Sequence, residues 1–86
     1  MILKTYNVFE SKVLVEIPEL FVDTYELHLG KLDDMRVSYL AYASGGKEHM
    51  SSRELTSKII KSIITELELY MDTGNIVNEA KNQGLL

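Results

Sequence analysis

Residues 51–71 read SSRELTSKIIKSIITELELYM, and this stretch decides the predicted fold. Apolar side chains recur along it at spacings of four and three residues, which is the period of one face of an α-helix. The stripe consists of Leu55, Ile59, Ile63, Leu67 and Tyr70. Ser51 is the predicted N-cap, because Glu54 lies three residues further on and completes a capping box. We therefore predict one long C-terminal helix over about residues 51–72.

The apolar surface of this helix is wider than one neighbour can cover. Ile60, Ile64 and Met71 flank the stripe, so that apolar side chains occupy about half of the helix circumference. Contact with a single sheet requires a stripe of only ~100°. The additional edge needs a second neighbour. The sequence offers two candidates, a short final helix over about residues 75–83 or a second subunit.

The first half of the chain has the two-residue period of β-strands. Ile2–Phe9 and Val13–Ile17 form either one bent strand or a hairpin that turns at Glu10 and Ser11. Phe21–Leu29 and Met35–Ala43 alternate in the same way and predict two further strands. We therefore predict a single α+β domain over residues 1–86, built in two layers. An antiparallel sheet of three or four strands packs on the long helix, and the short helix follows.

Composition narrows the classes of function. The net charge of −4 argues against nucleic acid as a partner, because nucleic-acid binding normally needs a large basic face. The chain has no cysteine, which excludes disulfides and thiolate-bound zinc and fits the reducing cytoplasm. It shows neither a signal peptide nor an apolar run long enough to span a bilayer. We expect a cytoplasmic protein that does not enter the membrane.

The charges of the long helix oppose its dipole. Cations gather in and before its first half, at Lys47, Arg53, Lys58 and Lys61, and carboxylates gather in its second half. Free backbone N–H groups at a helix start, beside glycines, hydroxyls and cations, can bind an anion, a phosphate or a nucleotide. The candidate anion-binding residues are Gly45, Gly46, Lys47, His49, Ser51, Ser52 and Arg53. The other interpretation is a flexible loop, a capped helix and a solvated charged face.

A second candidate surface is acidic. Glu16, Glu19, Asp23 and Glu26 follow one another without an intervening lysine or arginine, and a basic surface of another protein would complement them. Tyr42 is the tyrosine that we assign to the same partner-binding role, because it lies on the more polar side of its predicted strand. The alternative interpretation is that these carboxylates face solvent on edge strands, where charge prevents aggregation.

The sequence contains no catalytic constellation. His28 and His49 are its only histidines, and no acidic residue stands at ligand or triad spacing from them. We therefore expect no enzyme activity, no cofactor and no metal.

The predicted function is that of a small acidic interaction protein, a regulator or inhibitor that acts by binding another protein. Its surplus of apolar surface also predicts a homodimer. In size and charge the chain resembles phage-encoded inhibitors of host defence enzymes. The alternative is a small anion- or nucleotide-binding domain that uses Gly45–Arg53.

Overall fold

The computed structural model describes residues 2–86 and contains two β-strands followed by four α-helices. In chain order these are β1 (Leu3–Val8), β2 (Val13–Pro18), α1 (Glu19–Leu29), α2 (Asp34–Ala43), α3 (Ser52–Leu67) and α4 (Gly74–Asn82). The predicted α+β class is confirmed. Within residues 2–86, none of the helices is both long enough and apolar enough to cross a membrane.

The sheet has two strands, and the prediction of three or four is wrong. β1 and β2 form an antiparallel hairpin whose register runs from Leu3 opposite Pro18 to Val8 opposite Val13. Alternate side chains face the core, as the pleat of a strand requires. The inward-facing side chains that are buried are Tyr6, Val8, Val15 and Ile17. The other face of the hairpin is exposed to solvent. The hairpin therefore packs on the helices through one face only.

Residues 21–29, predicted to be a strand, lie in α1 instead. The buried residues of α1 are Phe21, Val22 and Tyr25. Their spacing places them on one face of a helix, and the alternation along the sequence is coincidental. In a strand, Asp23 would lie on the same face as Phe21 and Tyr25 and would interrupt its apolar surface. On the helix it is exposed, and its Oδ1 lies 3.3 Å from Lys4 Nζ.

Residues 35–43, the other predicted strand, form α2. Asp33 caps this helix, because its side chain accepts a hydrogen bond from the backbone N–H of Arg36 at 2.8 Å. The buried residues of α2 are Val37, Leu40 and Ala41. As a strand, this segment would be apolar on both faces. As a helix it buries one apolar face and leaves a second one, which includes Met35 and Tyr39, exposed.

The predicted N-cap of α3, Ser51, is confirmed, but the extent predicted for the helix is wrong. The backbone N–H of Glu54 donates to Ser51 Oγ at 3.1 Å. The helix ends at Leu67 rather than near residue 72, and the chain turns there, with Met71 N–H donating to the Leu67 carbonyl at 3.0 Å. Residues 68–70 are exposed. Burial supplies most of the stability of a helix in a protein, and these three residues add nothing to the core.

α3 is the central element of the fold and packs against β2, α1, α2 and α4. Its buried residues are Leu55, Thr56, Ile59, Ile60, Ile63, Ile64 and Leu67. The additional apolar edge at Ile60 and Ile64 is therefore covered within the chain. α4 begins at Gly74, one residue before the predicted start, and buries Ile76 and Ala80.

The cations in the first half of α3 reach the C-terminal ends of its neighbours. Arg53 Nη2 donates to the carbonyl of Gly84, just after α4, at 3.0 Å. Lys58 Nζ donates to the carbonyl of Ser44, the C-cap of α2, at 3.4 Å. Hydroxyl groups of α3 bond to carbonyls in the same two places: Ser57 to Leu85 and Ser62 to Leu40. Carbonyl groups at a helix C-terminus carry partial negative charge, so these positions suit cations.

Ile63→Asp is expected to unfold the domain. Ile63 is fully buried at the centre of the α3 stripe, and an isolated carboxylate there would lose its hydration without gaining a partner. The expected loss, about 4 kcal/mol or more, is comparable to the whole stability of a small domain. Urea denaturation followed by circular dichroism measures it. Thr65→Asp, at an exposed position of the same helix, is the control and should change stability by less than about 1 kcal/mol. A cooperative, stable Ile63→Asp variant would contradict the packing.

Tyr25→Phe is expected to lower the free energy of unfolding by about 1 kcal/mol, because it removes a hydrogen bond between α1 and α3. Tyr25 Oη donates to Glu66 Oε2 at 2.7 Å, and burial together with this bond raises the pKa of Tyr25 to about 12. The folded state therefore holds this proton more tightly than the unfolded state, whose tyrosine pKa is about 10. Stability contributed by the neutral phenol is present below about pH 10 and is lost as the pH rises toward 12.

Denaturation at pH 7 and at steps between pH 9 and 12 tests this expectation. Tyr25→Phe should show a shallower alkaline decline than the wild type. Tyr70→Phe, at an exposed tyrosine, is the matched control. A Tyr25→Phe variant with unchanged stability at pH 7 and an unchanged alkaline slope would show that the Tyr25–Glu66 bond contributes nothing.

Candidate interaction surface

Three large side chains form an exposed stripe along the outer face of α2. Met35 is 82% exposed, Tyr39 55% and Tyr42 63%. Their spacings of four and three residues place them on one face of the helix. We call Met35, Tyr39 and Tyr42 the α2 stripe. Together they present an apolar area on the order of 400 Å², given ~200 Å² for a large side chain.

Two bonds fix α2 against the hairpin. The backbone N–H of Asn7 donates to Asp34 Oδ1 at 3.2 Å, and the backbone N–H of Phe9 donates to Ser38 Oγ at 3.2 Å. Asp34 and Ser38 are four residues apart and therefore lie on the same side of α2. They accept one N–H group at the edge of β1 and one in the turn that follows this strand. The α2 stripe is thereby held facing away from the core.

The turn between β1 and β2 adopts an unusual backbone. Phe9, Glu10 and Ser11 all have positive φ, at 54°, 56° and 68°. This left-handed conformation costs roughly 1–2 kcal/mol for a residue with a side chain. The Phe9 ring is buried, and its centroid lies 4.6 Å from that of Tyr42 at an interplanar angle of 54°. The turn thus places its side chains beside the last turn of α2.

Two grooves lie on either side of this aromatic contact. The larger, about 650 Å³, is lined by Phe9, Glu10, Lys12, Tyr42, Gly45, Gly46, Lys47, Glu48 and His49. The smaller, about 380 Å³, is lined by Asn7, Phe9, Glu10, Ser11, Asp34, Met35, Ser38 and Tyr42. They share Phe9, Glu10 and Tyr42. The open ring of Tyr42 is therefore accessible from both.

The grooves differ in charge. In the larger groove Lys12 Nζ lies 3.1 Å from Glu48 Oε2, and the hydrogen bond between them raises the pKa of Lys12. Glu10 and Lys47 add one further charge of each sign, so the formal charges balance when His49 is neutral. The smaller groove contains Glu10 and Asp34, and none of its lining residues within the described chain, 2–86, is basic. It is the more negative of the two.

The seven residues proposed from the sequence for anion binding are not brought together. Gly45, Gly46, Lys47 and His49 line the larger groove. The other three make contacts within the fold: Ser51 caps α3, Ser52 Oγ donates to the Leu14 carbonyl at 2.8 Å, and Arg53 donates to Gly84. Of the seven proposed residues, Lys47 and His49 are the two whose polar side chains line the groove.

The two glycines are required by the path of the backbone, Gly46 by close packing and Gly45 by its positive φ. A Cβ on Gly46 would lie 2.8 Å from the Ala41 carbonyl oxygen and 2.8 Å from Leu55 Cδ2. The loop after α2 therefore approaches α3 more closely than a side chain would permit. Gly45 has φ of 84°, a conformation that glycine adopts without strain. Both positions are explained by the path of the chain.

Three of the acidic residues proposed for partner binding, Glu19, Asp23 and Glu26, lie on one face of α1, because they are four and three residues apart. Glu16 is exposed on the outer face of the hairpin, whereas Glu26 accepts the backbone N–H of Leu32 at 2.8 Å and closes the loop after α1. Glu19 and Asp23 line a different groove of about 490 Å³. These four carboxylates line neither of the grooves beside Tyr42.

Sequence reasoning selected Tyr42 and missed the rest of the α2 stripe. Assigning residues 35–43 to a strand placed Met35 and Tyr39 on the same face as Val37 and Ala41, and therefore in the core. The spacing of residues 35, 39 and 42 was the signal that could have revealed the stripe, because it fits one face of a helix. The left-handed turn gave no such signal, since it contains no glycine.

Among the described residues, 2–86, no group of three or more histidine, cysteine, aspartate or glutamate side chains is placed to hold a metal ion. Comparisons with protein-family models, with curated proteins and with solved structures found no match to this chain.

Proposed function

We propose that this chain is a small non-enzymatic interaction protein, a regulator or inhibitor, and that it binds another protein through the α2 stripe. The observation that supports the proposal most strongly is the exposure of Met35, Tyr39 and Tyr42 on one face of a helix that is anchored on its other side. Methionine and tyrosine are enriched at protein interfaces, and an apolar patch of several hundred Å² is often functional. A cytoplasmic location and a resemblance to phage-encoded inhibitors remain parts of this proposal.

The anchoring of α2 also favours this surface. A binding site held by rigid elements loses little conformational entropy when a partner docks. α2 is tied to the β1–β2 hairpin by Asp34 and Ser38 and to α3 by the bond from Lys58 to Ser44. The grooves on either side of Tyr42 would receive side chains of the partner. The acidic residues Glu16, Glu19, Asp23 and Glu26 offer a second, more polar surface for the same kind of function.

Site-specific photo-crosslinking in the native host cell tests the α2 stripe. A photoreactive phenylalanine analogue at Tyr39 should give a crosslinked protein partner. The same analogue at Leu27, which is 79% exposed on α1, is the matched control and should give no such product. With the analogue kept at position 39, Met35→Ser should lower the yield of the crosslinked product, whereas Leu27→Ser should leave it unchanged. Capture at position 27 but not at position 39 would move the binding surface away from α2.

The homodimer predicted from the sequence stays a proposal and has its own measurement. Light scattering at increasing concentration should show a monomer–dimer equilibrium, and a dimer that Tyr39→Ser disrupts would assign self-association to the α2 stripe. A wild-type chain that remains monomeric at millimolar concentration would exclude self-association as the role of the α2 stripe. The proposal of a different protein partner would then stand alone.

The alternative proposal is an anion- or nucleotide-binding domain. The larger groove supports it, because Lys47 and His49 line the groove together with the ring of Tyr42, on which a base could stack. Calorimetry with ATP, GTP and inorganic phosphate tests this proposal. Binding should weaken with added salt and should be lost in Lys47→Ala. Lys81→Ala, at an exposed position on α4, is the control. The absence of heat with all three probes would remove this alternative.

A further inference from the structure

The smaller groove has the composition of a receptor for a cationic side chain. It lies between the hairpin turn and α2, and its walls include Phe9, Met35 and Tyr42. Glu10 and Asp34 contribute two carboxylates, and no lysine, arginine or histidine lines it within residues 2–86. An arginine or lysine side chain has an apolar stem and a charged end. Both parts would find complementary surface here.

Tyr42 provides a fixed ring for such a group. Phe9 packs on this ring at 4.6 Å, while 63% of the Tyr42 residue stays exposed. A cation above an aromatic face is attracted by the ring quadrupole. The same helix already contains one example, because the guanidinium carbon of Arg36 lies 5.5 Å from the ring centroid of Tyr39. A partner's guanidinium on Tyr42 would repeat this contact at the next position of the stripe.

The negative charge of the groove selects the sign of the ligand. Asp34 already accepts one backbone hydrogen bond through Oδ1, and Glu10 projects from a turn in which every one of three successive residues has positive φ. In the larger groove the carboxylate of Glu48 is paired with Lys12. No basic side chain lines the smaller groove within residues 2–86, and its Glu10 also lines the larger groove together with Lys12 and Lys47. A cation from outside the chain would add the positive charge that the smaller groove lacks.

We propose that the smaller groove binds an arginine or lysine side chain of a partner protein. Met35 and Tyr39 would contact apolar residues next to that side chain in the partner. This inference rests on the proposed function, since it gives the chemistry of the partner segment that docks on the α2 stripe. The segment is basic and apolar, and its basic residue lies against Tyr42 between Glu10 and Asp34.

Nuclear magnetic resonance titration of the full ¹⁵N-labelled chain tests the inference. The probe is the capped tripeptide Leu-Arg-Leu, and the control is Leu-citrulline-Leu, whose side chain has nearly the same shape without the charge. The arginine peptide should shift the amide signals of Asn7, Glu10, Ser11 and Tyr42. It should bind on the order of tenfold more tightly than the citrulline peptide, from one cation–π contact and one or two exposed ion pairs. Raising the salt concentration should reduce this difference.

Two charge reversals complete the experiment. Glu10→Lys should weaken binding of the arginine peptide on the order of tenfold, and the backbone conformation at position 10 is no worse for lysine than for glutamate. Glu16→Lys, the same change on the outer face of the hairpin, should leave binding unchanged. The spectrum of each variant shows whether it is folded. Equal affinity for the two peptides, or an effect at Glu16 without one at Glu10, would overturn the inference.

The outcomes separate this inference from the proposed function. A crosslinked partner at Tyr39 with no preference for arginine means that the α2 stripe binds protein by other chemistry. Arginine-selective binding without any crosslinked partner means that the groove recognises the cation but that the stripe is not a docking surface. A crosslinked product of twice the chain mass makes a second copy the occupant and overturns the choice of a foreign basic segment.

Discussion

Burial of the apolar face of α3 is the constraint on which the rest of the structure depends. The helix contacts β2, α1, α2 and α4, and its side chains form the middle of the only core that the described residues build, in residues 2–86. A two-stranded hairpin is marginal in water by itself. The hairpin persists here because Val15 and Ile17 lie in the same buried cluster as Ile59 and Ile63. The remaining helices complete the enclosure of α3.

The polar face of α3 explains charges that look misplaced in the sequence. Lys58 and Arg53 lie in the wrong half of α3 for its own dipole, yet they lie at the right ends of α2 and α4. Glu66, in the other half, accepts the hydroxyl of Tyr25 from α1. A charge pattern along one helix can therefore reflect the dipoles and donors of its neighbours. The anion-site hypothesis drew on this pattern, and the contacts of Arg53 give the pattern a structural reason.

The sequence allowed the two strands and the start of α3 to be predicted, because both depend on local signals, but it left open whether the strands form a hairpin or one bent strand. Strand formers surround a short polar turn, and Ser51 and Glu54 stand at capping-box spacing. α1 and α2 could not be recognised by periodicity alone, since 9–11 residues of mixed composition fit a period of two nearly as well as 3.6. Their helical state depends on tertiary contacts, such as that of Tyr25 with Glu66. Assigning residues 35–43 to a strand also placed Met35 and Tyr39 in the core. The sequence therefore identified only Tyr42 of the α2 stripe.

Side chains of α2 and α3 occupy backbone groups along the edges of the small sheet. Asp34 accepts a backbone N–H of β1, Ser38 accepts the N–H of Phe9 just after that strand, and Ser52 donates to the Leu14 carbonyl of β2. An extended peptide that joins a sheet needs these same backbone groups. At these positions strand addition would first have to break the hairpin's contacts with α2 and α3. If the proposed function holds, a partner would contact side chains rather than these backbone groups, and single substitutions could then change its specificity without any change in the backbone.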